Sequence, residues 1–102
     1  MLEMKPIIID GHQFTAVQMK LPKTNFMAVT NDKGYIMCGA LDVALFNSNE
    51  KLRERKIIAG RAVGVRTIDQ LIDAPLESVT LAAEELGITA GMKGRDALLK
   101  MI

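Results

Sequence analysis

The chain has 102 residues and a formal net charge of +1; 49% of the residues are hydrophobic, 25% are charged and 4% are aromatic. This length and balance predict one hydrophobic core and a single domain over residues 1–102, and they exclude a disordered chain or a disulfide scaffold. Nucleic-acid binding is not expected, because it needs clustered Lys and Arg with aromatic rings for stacking. The basic run over residues 51–56 is interrupted by Glu54 and is typical of a solvated helix end.

The cysteine content and the N-terminus predict a cytoplasmic protein. Cys38 is the only cysteine, so no intramolecular disulfide can form. The N-terminus carries Glu3 where a signal peptide would be basic, and the apolar run that follows is too short for one. Because no apolar stretch approaches the ~20 residues that cross a bilayer, we expect no membrane partner.

The chain opens with a predicted β-hairpin. Strands over residues 4–9 and 14–19 flank Asp10-Gly11, a dipeptide that readily takes positive φ in a tight turn.

A second predicted hairpin joins strands over residues 25–30 and 35–40 through a polar turn at 31–34. Both faces of these strands carry apolar side chains, with Phe26 on one face and Met27 on the other. A sheet that is apolar on both faces must be covered on both, by its own helices or by another subunit. We therefore expect a homo-oligomer.

A parallel crossover is predicted next. Asp42 can cap a helix that runs through Phe46 and Leu52 to about Lys56, and residues 57–60 return as a strand. A strand, a helix and a strand in this order place a parallel pair beside the hairpins, so the sheet is expected to be mixed.

The last third of the chain changes to helical periodicity. Thr67 is expected to cap a short helix over residues 68–72. Pro75 is expected to open a longer helix, which ends at Gly87. The apolar face of that helix would carry Leu76, Val79, Ala83 and Leu86.

A short C-terminal helix after Gly94 would carry Leu98 and Ile102 one turn apart. The predicted fold class is thus α+β. It is a single small domain with a mixed β-sheet from two N-terminal hairpins plus one strand-helix-strand crossover, followed by C-terminal helices.

Three parts of the chain carry a family resemblance. They are GYIMCGALD over residues 34–42, IAGRAVGVRTID over residues 58–69, and ELGI with GMKGRDAL over residues 85–88 and 91–98. In these parts the chain resembles the YunC-like family of small bacterial and archaeal proteins of unknown function, and the likeness covers nearly the whole length. The resemblance implies a small domain of α and β structure, and it implies no reaction or ligand.

The turn that follows the predicted strand at 35–40 is the first candidate site. Cys38 stands close to a predicted helix start, where a thiol can become a nucleophile, although a lone cysteine in a strand is commonly a buried small hydrophobe. Gly39 permits close approach to the backbone, and Asp42 is either a helix cap or an acid, base or metal ligand. Since no second carboxylate or histidine stands at metal-ligand spacing, we expect no metal.

Arginines supply the second candidate. Arg61 and Arg66 follow the second strand of the crossover, and ligands often bind beyond the carboxyl ends of parallel strands. The Arg66 guanidinium is either a fork for a carboxylate or phosphate or one half of a salt bridge, for example with Asp69 or Asp73. Gly94 and Arg95 similarly form either an anion site or an ordinary helix start. His12 is expected to be exposed in the first hairpin turn.

Three functions remain open from the sequence. The first is a small oligomeric cytoplasmic domain that binds a small anionic ligand between the turn at 38–42 and the segment at 61–66. The second is a thiol enzyme with Cys38 as nucleophile, Asp42 as orienting or proton-transferring group and Arg66 as anion clamp. The third is a protein-interaction module without a small-molecule site. No cofactor is expected, because the glycines do not spell a phosphate loop or a dinucleotide fingerprint.

Overall fold

A mixed sheet of six strands with five helices forms the fold over residues 2–39 and 41–102, which are the residues that the computed structural model describes. The strands are β1 (Leu2–Ile9), β2 (His12–Leu21), β3 (Thr24–Thr30), β4 (Gly34–Met37), β5 (Ile58–Arg61) and β6 (Ser78–Val79). The helices are α1 (Val43–Ser48), α2 (Glu50–Glu54), α3 (Ile68–Asp73), α4 (Leu81–Glu85) and α5 (Gly94–Leu99). The strands lie in the sheet in chain order, and β4 and β5 pair in parallel while the other neighbours are antiparallel. The predicted α+β class and the mixed sheet are confirmed.

Both predicted hairpins form. Asp10 and Gly11 have φ of 50° and 81°, so the turn places two residues in the left-handed region as the dipeptide predicted. The side-chain oxygen of Asn31 accepts the backbone N–H groups of Lys33 and Gly34 at 2.9 and 3.1 Å and closes the second turn. The predicted strand at 35–40 is shorter than expected, since β4 ends at Met37; its last predicted residue, Ala40, lies outside the described residues.

One face of the sheet, here called the core face, carries the main hydrophobic core. Helices α3 and α5 cover it by packing on β3 and β4. Its largest fully buried side chains in the strands are Phe14, Met27, Val29 and Ile36. Their alternation along the strands is the period-two pattern of a sheet with one buried face.

The opposite face is covered only in part. Leu41, Val43 and Ala59 form a second small core there, with Tyr35 and Phe46 packed against it. Burial raises the pKa of the Tyr35 hydroxyl above its usual value. This cover lies over β4 and β5, whereas large apolar side chains of β1 and β2 on the same face remain exposed.

The crossover differs from the single predicted helix. Asp42 does cap α1, because its Oδ1 accepts the N–H of Leu45 at 3.0 Å. The helix then breaks at Asn49, whose ψ of 119° is extended. The side chain of Asn49 caps α2 by accepting the N–H of Leu52 at 3.2 Å, since a short amide side chain competes for backbone groups.

The predicted helix from Pro75 is wrong. The backbone around Leu76 is extended and pairs with a distant segment, donating its N–H to the Met92 carbonyl at 2.8 Å. Residues 78–79 form β6, and helix α4 starts only after its N-cap Thr80. Leu86 is therefore not on a buried face, and 42% of its surface is exposed.

The two other predicted helices are present. Thr67 caps α3 by accepting the N–H of Gln70 at 3.1 Å. In the C-terminal segment Leu98 is fully buried, but Ile102 is 49% exposed and Met101 takes the buried position instead. Asn31 fixes this end by donating its side-chain N–H to the Met101 carbonyl at 3.0 Å.

Candidate functional site

The parallel pair places both predicted loops at one end of the sheet. Met37 and Arg61 are the last residues of β4 and β5 and are partners in register. Just beyond them, the N–H of Ala62 donates to the Met37 carbonyl at 2.9 Å. The turn at 38–42 and the segment after Arg61 therefore leave the sheet side by side, where ligands commonly bind in open sheets with parallel strands.

Backbone hydrogen bonds fix the turn at 38–42 on the end of the sheet. The N–H of Cys38 donates to the Met27 carbonyl at 3.1 Å, and the Cys38 carbonyl accepts the N–H of Leu41 at 3.2 Å. Asp42 then starts α1. These bonds fix Cys38 and Leu41 relative to the sheet.

The guanidinium of Arg61 lies against this turn. A methyl group added at Gly39 would be 3.7 Å from Nη2 of Arg61 and 3.9 Å from its Nε, which is ordinary van der Waals contact. Nη1 lies 3.6 Å from Oε2 of Glu77, and the Arg61 side chain is 32% exposed. Nε is buried and has no hydrogen-bond partner among the described residues. A guanidinium has five N–H donors, so Arg61 holds more donors than the described residues satisfy.

Arg61 faces an open groove of about 390 Å³. The groove runs between the start of α1 and β6, and its charged lining residues are Asp42, Arg61, Glu77 and Glu84. Three carboxylates against one guanidinium make the groove acidic away from Arg61. The side chain of Asn47 also lines it, and its oxygen accepts the N–H of Leu81 at 2.9 Å.

Sequence reasoning missed Glu77, Glu84 and Asn47. Nothing in the local pattern marks them, because all three reach the groove through the β5–β6 pairing and the link from Asn47 to α4. The expectation of a helix from Pro75 also displaced the first two from this end of the sheet.

Cys38 is a packing residue of the core face. It is 7% exposed, and its Sγ lies 3.8 Å from the Asn25 carbonyl oxygen. A thiol in this position is shielded by β3 rather than presented to the groove.

We predict that iodoacetamide labels Cys38 of the native protein slowly at pH 7 and rapidly in denaturant, because the reagent must reach a buried sulfur. The label is counted by intact-protein mass spectrometry over time. Fast labelling of the folded chain, at the rate of the unfolded one, would contradict this burial.

The remaining predicted site residues lie elsewhere. Arg66 precedes α3 and is exposed, with its backbone N–H donating to Oε1 of Gln70 at 2.7 Å. Gly94 is buried where α5 begins, in contact with α3. Arg95 lines a separate open groove of about 360 Å³ together with Lys5 and Asp69. The structure therefore brings Gly39, Asp42 and Arg61 together and leaves the other three apart.

Residues 2–39 and 41–102, which the structure describes, contain no group of three or more His, Cys, Asp or Glu side chains that could hold a metal ion. No helix in this part of the chain is long and apolar enough to cross a membrane.

Comparison with known proteins shows which family the chain is part of. The family model of a domain of unknown function, DUF1805, matches residues 37–101. The chain belongs to this family. The matched part begins at the last residue of β4, so it includes the whole Arg61 groove, while β1, β2 and β3 precede it.

Individual relatives match the chain over its full length. The chain is 74% identical over 102 residues to the uncharacterized protein YunC of Bacillus subtilis (strain 168), covering 100% of this chain and 99% of that protein. It is also similar to a crystal structure of a protein of unknown function, TA1206, from Thermoplasma acidophilum. That likeness has a TM-score of 0.87 at 26% identity and covers 100% of this chain and 94% of the other. The predicted resemblance to the YunC-like family is confirmed.

Proposed function

We propose that this DUF1805 protein binds a small ligand through one anionic group, which is held by Arg61 beside the turn at 38–42. The proposal is supported by the position and the contacts of the Arg61 guanidinium. It lies beside Gly39, and its charged contact is a 3.6 Å approach to a half-exposed carboxylate of Glu77. An exposed pair of this kind contributes little stability, so a carboxylate or phosphate of a ligand can replace Glu77 and bind the guanidinium with two hydrogen bonds.

The other charges of the groove restrict the ligand. Asp42, Glu77 and Glu84 would repel a second anionic group, so a polyphosphate is a poor fit. A ligand with a single carboxylate or phosphate and an uncharged or cationic remainder suits the lining. Small zwitterions such as amino acids belong to this class.

The proposal predicts that Arg61→Gln abolishes binding of such a ligand. The measurement is the melting temperature of the protein with acetate, glycine or inorganic phosphate as probe. A probe at ten times its Kd should stabilise the fold by about 1.4 kcal/mol and raise the melting temperature by about 6 °C.

Arg66→Gln is the matched control, because Arg66 is an exposed arginine that does not line the groove. It should keep the full shift. Equal loss in both variants, or no shift with any probe in the wild type, would refute binding at Arg61.

We also propose that the protein acts as a homo-oligomer in the cytoplasm. The support for self-association is the incompletely covered sheet, which exposes large apolar side chains of β1 and β2. The support for the compartment is a single, buried, free thiol in a chain that is similar to a bacterial protein.

A further inference from the structure

The uncovered part of the sheet is uncharged throughout. We call it the open face: the side of β1, β2 and β3 that points away from the core face. The register of the strands assigns thirteen residues to it, namely Leu2, Met4, Pro6, Ile8, Gln13, Thr15, Val17, Met19, Leu21, Thr24, Phe26, Ala28 and Thr30. Met4 and Ile8 are each 65% exposed.

The charges of these three strands all lie on the other side. Glu3, Lys5 and Lys20 alternate with the open-face residues and so point to the core-face side, beyond the part that the helices cover. A sheet with one solvated face shows the reverse, with charges on the exposed face. The pattern indicates that the open face is buried against an uncharged partner.

We infer that a second copy of this chain packs on the open face, sheet against sheet. The inference rests on the homo-oligomer proposed above and identifies its interface. A twofold interface uses the same patch on both copies, and a patch without charges meets itself with no unpaired charge to bury. A partner with a charged surface would have to desolvate those charges against Met4 and Ile8 without compensation.

Two copies that paired through the edge strands of their sheets would form a less favourable dimer than two copies packed face to face. β1 is the edge strand of the sheet, and it contains Pro6, which has no backbone N–H to donate to an added strand. Glu3 and Lys5 also lie in this strand. The copies therefore join through faces, with aligned sheets about 10 Å apart.

The size of the open face sets the expected strength. Eight residues along β1 and three strands across give a flat footprint of about 27 by 14 Å, a lower limit for the surface because side chains protrude. Two such flat footprints total about 760 Å², which is below the roughly 1,200 Å² of the smallest standard interfaces, although protruding side chains add to it. A weak dimer with a Kd in the micromolar range is therefore expected.

The test measures mass by light scattering at about 100 μM, above the Kd expected of such an interface. The wild type should have twice the monomer mass of 11.2 kDa. Ile8→Lys and Met4→Lys should each return the mass to 11.2 kDa with unchanged circular dichroism, because both side chains are exposed in the monomer. Leu86→Lys is the control, since Leu86 is an exposed leucine away from the open face, and it should remain dimeric.

The possible outcomes distinguish an error in the proposed interface from an error in the proposed self-association. An oligomeric wild type that both open-face variants leave unchanged would overturn this interface and leave the homo-oligomer standing. A monomeric wild type would overturn both the interface and the homo-oligomer. If that monomer sedimented with neutral phosphatidylcholine vesicles, a lipid surface and not a second copy would cover the open face. None of these results bears on ligand binding at Arg61, which is measured separately by the melting temperature.

Discussion

Gly94→Ala should destabilise the fold by about 3 kcal/mol or more, because the added methyl group has no space. It would lie 2.6 Å from the Leu71 carbonyl oxygen and 3.1 Å from that of Ile72. Both are backbone atoms of α3, so relief requires α3 and α5 to move apart. That movement would also stretch the bond from the Gly94 N–H to the Ala74 carbonyl, now 3.0 Å.

Gly39→Ala is the matched control for this substitution. Its methyl group would meet Arg61 and Val63 at 3.7 Å, which is ordinary contact, and the expected change is within about 1 kcal/mol. Urea unfolding measures both variants. Equal midpoints for Gly94→Ala and the wild type would show that α5 does not pack on α3 as described.

Thr80→Val should cost about 3 kcal/mol of unfolding free energy, since it removes a buried hydroxyl that serves three backbone groups. Oγ1 of Thr80 donates to the Ile57 carbonyl at 2.6 Å. It also accepts the N–H of Ala59 at 3.1 Å and that of Ala83 at 3.3 Å. Valine has nearly the same shape and leaves these groups without a partner at the junction of β5 and α4.

Thr67→Val provides the comparison, because Thr67 has the same capping role in an exposed position, where water can replace the lost bond. Its expected cost is about 1 kcal/mol, measured by the same urea titration. If the two threonine variants unfolded at the same urea concentration, the buried role of Thr80 would be refuted.

Local signals in the sequence predicted the local structure well. Asp10-Gly11 makes the hairpin turn, and the caps Asp42 and Thr67 begin their helices, because each acts on residues within one turn of itself. The short apolar runs before the turn at 38–42 and before Arg61 predicted the two strands of the parallel pair.

The failure of the helix predicted from Pro75 has a nonlocal cause. Leu76 has helical spacing from Val79, yet the Met92 carbonyl binds its N–H and holds the segment extended. Periodicity cannot show a partner sixteen residues away. Asn49 lies inside the single helix predicted from Asp42 to about Lys56, whereas it ends one helix and starts the next through a local cap.

The candidate site was also predicted only in part, because some of its residues meet through local structure and others through distant strands. The adjacency of Gly39 and Arg61 follows from the parallel pair, which the sequence predicted. The acidic lining by Glu77 and Glu84 depends on β6, which it did not predict. Gly94 was expected at an anion site or an ordinary helix start; it begins α5, and its close packing on α3 depends on tertiary contacts. Arg66 and Arg95 remain predictions for other ligands or none, since neither lines the groove of Arg61.

The order of the strands bears on how the chain reaches its native state. Because each strand lies beside its neighbours in the sequence, β1 to β4 can assemble by successive short hairpins with little loop-closure entropy. The slower step is the parallel closure, since the segment between Met37 and Ile58 must be looped out before β5 can join β4. Until α3 and α5 pack on it, the core face of this meander has no helical cover, and Met27 and Val29 are exposed to solvent. A nascent chain is thus most prone to aggregation after its first thirty-seven residues have paired and before α3 and α5 cover the core face.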